Sequence, residues 1–188
     1  MHNPTRYTSG QAPPNLLEPP GGLTEEMRAV AVGARRRAVR DGDRDVDTAH
    51  LLHSLVESDP AVREAFGDGP RLARVLRYLV QRSIGYGLRW QGAQERPGVL
   101  PAPRYAADGW SPSAAAALAR AARGAVLRGA SRAGGLDLLA ALMADPGCRA
   151  VEVLERSGVD AAWLAARAAD RLGGGGPAEV IAERYRQA

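Results

Sequence analysis

From residue 24 onward the apolar positions fall at helical spacing, and each run is bracketed by residues that start or stop helices. Thr24 is a good N-cap, and Glu25 and Glu26 suit the positive end of a helix dipole. Met27, Val30, Ala31, Ala34 and Ala38 then recur on one face until Gly42 ends the run. A second helix is predicted from about Thr48 to Glu57, with Leu51, Leu52, Leu55 and Val56 on its buried side. Asp59-Pro60 reads as an N-cap followed by a proline at N1, opening a short helix that ends near Gly67. A fourth helix carries Leu72, Val75, Leu76, Leu79 and Val80 inward and Arg71, Arg74, Arg77 and Arg82 outward.

The pattern then starts again. Ser111 and Pro112 serve as N-cap and N1 of an alanine-rich helix reaching about Arg128. Gly134-Gly135 leads into a helix over residues 136–144, and Asp145-Pro146 opens another to about Ser157, with Cys148 inside it. Asp160 caps a last one carrying Trp163 and Leu164. Nothing reads as a strand, so the prediction is an all-α fold of about eight helices plus a short C-terminal helix from Pro177 with Val180, Ile181 and Tyr185.

The two halves align without gaps at an offset of 87 residues, from Leu23 to Trp110. Leu23-Thr24 matches Trp110-Ser111, and Thr48-Ala49-His50-Leu51-Leu52 matches Gly135-Leu136-Asp137-Leu138-Leu139. This divides the chain into an arm (1–22), a first four-helix repeat (23–83), a linker (84–109), a second repeat (110–172) and a glycine hinge with a short terminal helix (173–188). The linker is rich in Gly and Pro and carries Tyr86, Trp90 and Tyr105, which either pin it to the core or form a docking patch. Tandem helical repeats bury their apolar faces against one another and more often bind partners than catalyse reactions.

Composition removes several alternatives. No apolar run reaches the roughly 18–20 residues that cross a bilayer. The N-terminus lacks the apolar stretch of a signal peptide, which points to the cytoplasm. Cys148 is the single cysteine, which excludes an intramolecular disulfide and a cysteine-based metal cage. All 25 basic residues are arginine, a bias that follows from a GC-rich genome and says little about function. Residues 24–83 hold 11 Arg against 10 acids, a net of +1, which is weak footing for a nucleic-acid surface.

Candidate chemistry is sparse. Asp47, His50 and His53 share a helix face with metal-ligand spacing, yet His50 reads better as a hydrogen-bonded element near a helix start, with His53 facing solvent. Ser54, Ser58 and Asp59 near His53 lack the strained turn and oxyanion loop of a hydrolase. We therefore expect no catalytic residue, no metal and no cofactor. Arg35, Arg36, Arg37 and Arg40, with Arg71, Arg74 and Arg77, read as solvated faces or as a surface for an acidic partner. Leu23 and Trp110, each just before an N-cap, are either hydrophobic staples or exposed anchors.

The repeated Leu23-Thr24 and Trp110-Ser111-Pro112 starts, followed by Val46-Asp47-Thr48-Ala49-His50-Leu51-Leu52 and its copy at 133–139, resemble the N-terminal domain of Clp-type AAA+ unfoldases. That domain is a double four-helix repeat which docks adaptors and substrates onto the unfoldase ring. The resemblance covers about residues 23–172. It implies a non-catalytic module that binds peptides, adaptors or unfoldase components, with Leu23, Thr24, Thr48, Trp110 and Ser111 as the contact set at the inter-repeat groove. In some members a glutamate in each repeat pairs with phosphorylated arginine; here those places hold Ala49 and Leu136, which argues against that mode. No Gly-x-x-x-x-Gly-Lys-Ser/Thr loop is present, so the chain resembles such a domain standing alone, as a decoy or an adaptor. The alternative is a helical nucleic-acid-associated regulator that uses its arginine faces.

Overall fold

A computed structural model of the chain describes residues 23–67, 69–83, 94–96, 98 and 109–173. Tyr86, Trp90, Tyr105 and the expected helix from Pro177 lie outside them. Eight helices are present among the described residues: α1 (Glu25–Asp41), α2 (Thr48–Ser58), α3 (Pro60–Ala65), α4 (Gly69–Ser83), α5 (Pro112–Leu127), α6 (Gly135–Met143), α7 (Arg149–Arg156) and α8 (Ala161–Gly173). The fold is all-α.

Local chemistry explains most boundaries. The Thr24 and Ser111 hydroxyls accept from the amides of Met27 and Ala114, closing the first turns of α1 and α5. Asp59 Oδ1 accepts from Ala61 N and Val62 N at the start of α3, and Asp160 Oδ1 does the same for Ala162 and Trp163 at α8. Gly42, at φ 74°, ends α1 in the left-handed conformation that glycine adopts without steric cost.

One start differs from expectation. Asp145-Pro146 does not open α7; the helix begins at Arg149 with Cys148 as its N-cap residue. Asp145 Oδ1 accepts instead from Gly98 N and Gly147 N, and that turn delays the helix.

In the packing, α1 lies on α2 and α5 on α6, while α2 and α6 also meet each other and the third helix of the opposite half. The α2 leucines and Val56 and the α6 residues Leu138, Leu139 and Leu142 are all fully buried. Each such side chain contributes about 1.5–3 kcal/mol of transfer free energy. Because α2 is enclosed on nearly every side, His53 is buried at 5% exposure rather than facing solvent. The α1–α2 approach depends on Gly33: a Cβ there would lie 2.3 Å from Ser54 Oγ.

On α4, Val75 and Leu79 are buried, but Val80 is half exposed. One of its arginines turns inward, against expectation: Arg82 pairs with Asp47, whereas Arg74 stays exposed while its Nε donates to Ser157 O at 3.1 Å.

Candidate inter-repeat junction

The two repeats exchange their starting segments. Leu23 forms an isolated parallel bridge with Ala133, and Trp110 forms one with Val46, so each first helix is anchored on the α1–α2 type loop of the other half. The bonds are Thr24 N to Ala133 O (3.2 Å), Val46 N to Gly109 O (2.8 Å) and Ser111 N to Val46 O (2.9 Å). The 87-residue offset relates the partners in pairs, Leu23 to Trp110 and Val46 to Ala133. Leu23 and Trp110 are thereby buried, Trp110 at 3% exposure with the Arg35 guanidinium 5.8 Å from its ring centre.

Beside this crossing lies a polar centre. Glu95, 5% exposed, places its carboxylate among the starts of three helices. Its Oε1 accepts from Arg149 N (2.7 Å) and from the Thr48 hydroxyl. Its Oε2 accepts from Thr48 N (2.9 Å) and from the Ser111 hydroxyl (2.7 Å). Both hydroxyls are polarised from behind, because Thr48 Oγ1 accepts from Ala150 N and Ser111 Oγ from Ala114 N. Burial, and then the charge of Asp47, push the Glu95 carboxyl above its ordinary pKa.

Asp47, the N-cap of α2, forms the ionic half of this centre. Its Oδ1 accepts from His50 N at 2.8 Å, and its Oδ2 is held by Arg82 of α4 and by Arg149 Nη1 of α7 at 2.7 Å. Burial alone would raise the Asp47 pKa, but His50 and the two guanidiniums outweigh it and hold the carboxyl far below the usual range. His50 Nδ1 stands 3.1 Å from Asp47 N and 2.8 Å from Asp47 Oδ1. Its Nε2 stands 3.2 Å from Asp43 Oδ2 and 3.6 Å from Asp41 Oδ2, ion-pair contacts rather than aligned hydrogen bonds. Burial opposes a charged ring, yet the carboxylates of Asp43 and Asp47 prevail and raise its pKa to about 9.

Asp43, Asp47 and His50 offer ligand atoms within 4.8 Å of one another, but this is not the triad of the sequence pattern. His53 points elsewhere, with Nε2 2.9 Å from Glu57 Oε1, and burial lowers its pKa. The positive charge that a metal would bring is already supplied by Arg82, Arg149 and the protonated imidazole. In the second repeat, the positions matching Asp41 and His50 are Arg128 and Asp137. They form an ion pair of reversed sign, and Asp137 Oδ2 accepts from Gly134 N at 2.9 Å, in the place that His50 Nδ1 takes beside Asp47 in the first repeat.

No family model matches the sequence, and no curated protein matches it. Among solved structures, it is similar to the N-terminal domain of ClpD, a chaperone associated with the caseinolytic protease, from Arabidopsis thaliana. The TM-score is 0.59 at 24% identity, over 80% of this chain and 94% of that one. The fold is Clp N-domain-like.

Within this Clp N-domain-like fold, Leu23, Thr48, Trp110 and Ser111 are buried and Thr24 partly so, all at the seam between the repeats. Thr48 and Ser111 meet at Glu95, while Leu23 and Thr24 sit at the matching crossing on Ala133. Ala49 is sealed in the core and Leu136 packs against it, so neither place offers a carboxylate. Cys148 is buried, its thiol pushed up to about 11 chiefly by desolvation, which suits a packing role.

The sequence reading missed Glu95 and the pairing of Arg149 with Asp47. Arg71, expected on a solvated face, stacks on Trp163 together with Arg167, whose Nε donates to Ala65 O at 2.8 Å, and Arg171 pairs with Glu64 at 2.9 Å. Among the described residues no helix is long and apolar enough to cross a membrane.

Proposed function

We propose that this chain is a non-catalytic binding module of a Clp protease system in the cytoplasm. It engages peptides, adaptors or unfoldase components at the junction of its two repeats, either as a decoy that sequesters ligands or as an adaptor that delivers them. The observation that carries the reading is the junction itself, in a fold shared with a chaperone's N-terminal domain. Two hydroxyls and two amides from both repeats converge there on one point. Thr48 and Ser111 supply polar contacts in this reading, and Leu23, Thr24 and Trp110 hold the two halves in register around them. Apolar area for a partner is available at the exposed Val32 and Val39 of α1 and Val126 and Leu127 of α5, of which Val39 and Val126 are matched by the repeat offset.

The test is reconstitution. The purified chain is added to the Clp unfoldase and protease of its own organism while degradation of a model substrate is followed. A decoy slows degradation of N-domain-dependent substrates, and an adaptor accelerates that of its cargo. If rates do not change at a several-fold molar excess, and affinity capture enriches no protease component, adaptor or substrate over an unrelated helical control, the reading fails.

A further inference from the structure

We infer that the Thr48–Ser111–Arg149 centre is a carboxylate-binding site that the chain fills with its own Glu95, as a tethered internal ligand. A bound partner's carboxylate would take the same place. This rests on the partner-binding reading above and names the group that the junction recognises.

The donor set supports the assignment. Four N–H or O–H groups point at the two oxygens, and each oxygen receives one amide and one hydroxyl. That arrangement suits a planar carboxylate, which accepts at two oxygens and donates nothing. The amides belong to first-turn residues of α2 and α7, where the helix dipole favours an anion. Both hydroxyl hydrogens are committed to the anion, because each oxygen also accepts from an amide behind it. The carboxylate is contributed by residues 94–96, which belong to neither helical repeat. It reaches the core of both halves and there meets the charge of Asp47 about which Arg82 and Arg149 gather. A packing requirement alone would be met by an apolar side chain, whereas this centre is built from donors. A neutral glutamine would not satisfy it, since either orientation of its amide sets an NH2 against the amide of Thr48 or of Arg149.

The experiment uses the full chain with Glu95→Ala and, as probes, sodium acetate, sodium phosphate and sodium chloride at equal ionic strength. Melting temperature and the amide resonances of Thr48, Arg149 and Ala150 are followed. Glu95→Ala is expected to melt several degrees below the parent. Acetate in the tens of millimolar range is expected to restore much of the difference and to shift those three resonances saturably, with no such response in the parent or in Glu95→Ala/Ser111→Ala. If Glu95→Ala is unfolded in buffer, refolding by acetate but not chloride supports the site, and failure of acetate to refold it overturns the site. A folded Glu95→Ala that responds equally to acetate and chloride also overturns it. A response to phosphate alone overturns the carboxylate assignment. Acetate binding without any effect in the degradation assay would instead sink the proposed cellular role and leave the site standing.

Discussion

Replacing Asp47 by asparagine removes one negative charge from a place where three cationic groups meet. Arg82 and Arg149 bring guanidiniums from α4 and α7, and His50 brings an imidazole whose charge depends on the same carboxylate. Both arginine side chains are about 10% exposed, so water replaces little of the lost partner. Breaking a buried pair by removing one member costs about 3–5 kcal/mol, because the remaining charge is left uncompensated. If asparagine keeps its oxygen on His50 N, its NH2 faces two guanidiniums. If it flips, the N-cap bond is lost as well, worth about 1 kcal/mol. A domain of this size has about 5–15 kcal/mol in total, so Asp47→Asn is expected to remove about a third or more. Arg149→Met should cost less, because Asp47 keeps Arg82 and His50. Urea denaturation at pH 7 of both single variants and the double variant gives the coupling between them. The low native pKa of Asp47 gives stability that is present above its unfolded value of 3.8 and lost as pH falls below it, and Asp47→Asn abolishes that acid-side dependence. A loss below about 1 kcal/mol with an unchanged acid limb would refute the view that these charges form one interdependent set.

Further perturbations address separate parts of the fold. His50 has a raised folded pKa, so its contribution is complete below about 6.5 and is lost as pH rises through about 9. The parent should lose up to about 3 kcal/mol across that window, and His50→Gln much less; equal slopes in urea titrations would reject the charged imidazole. Gly33→Ala places a Cβ against Ser54 Oγ and should cost about 1–3 kcal/mol, most of it recovered in Gly33→Ala/Ser54→Ala; equal melting of parent and single variant would reject the close α1–α2 approach. Trp110→Ala empties a buried position and should cost about 3–5 kcal/mol in thermal unfolding, whereas an exposed anchor would leave stability nearly unchanged.

The helices were legible because their signals are local. A hydroxyl or carboxylate at the N-cap, a proline at N1 and apolar residues at helical spacing each act within one or two turns, as at Thr24, Asp59, Ser111 and Asp160. The likeness of Asp145-Pro146 to Asp59-Pro60 misled, because Gly147 and the approach of Gly98 divert the Asp145 carboxylate into a turn. His53 was misplaced for a different reason. Two histidines in one helix look polar, but the Thr-Ala-His-Leu-Leu-His-Ser-Leu-Val run has no solvated stripe, the mark of a central helix. The junction was least legible. Glu95 is one of two acids in a linker rich in Gly and Pro, and its four donors come from residues 48, 111 and 149. No periodicity reports a contact that depends on how two repeats dock. The available hint was that Thr48 and Ser111, both able to donate, open helices with no acidic residue in the first turn.

The reciprocal docking of Leu23 on Ala133 and of Trp110 on Val46 makes each half a template for the other. A cut between residues 83 and 109 would therefore not release two autonomous modules. Each fragment would lack the backbone that receives its own leading segment, and would expose the apolar flanks of its central helix. The two pieces should be poorly structured alone and should assemble one-to-one on mixing. Trimming this protein to a single repeat is for the same reason the wrong way to make a smaller version of it.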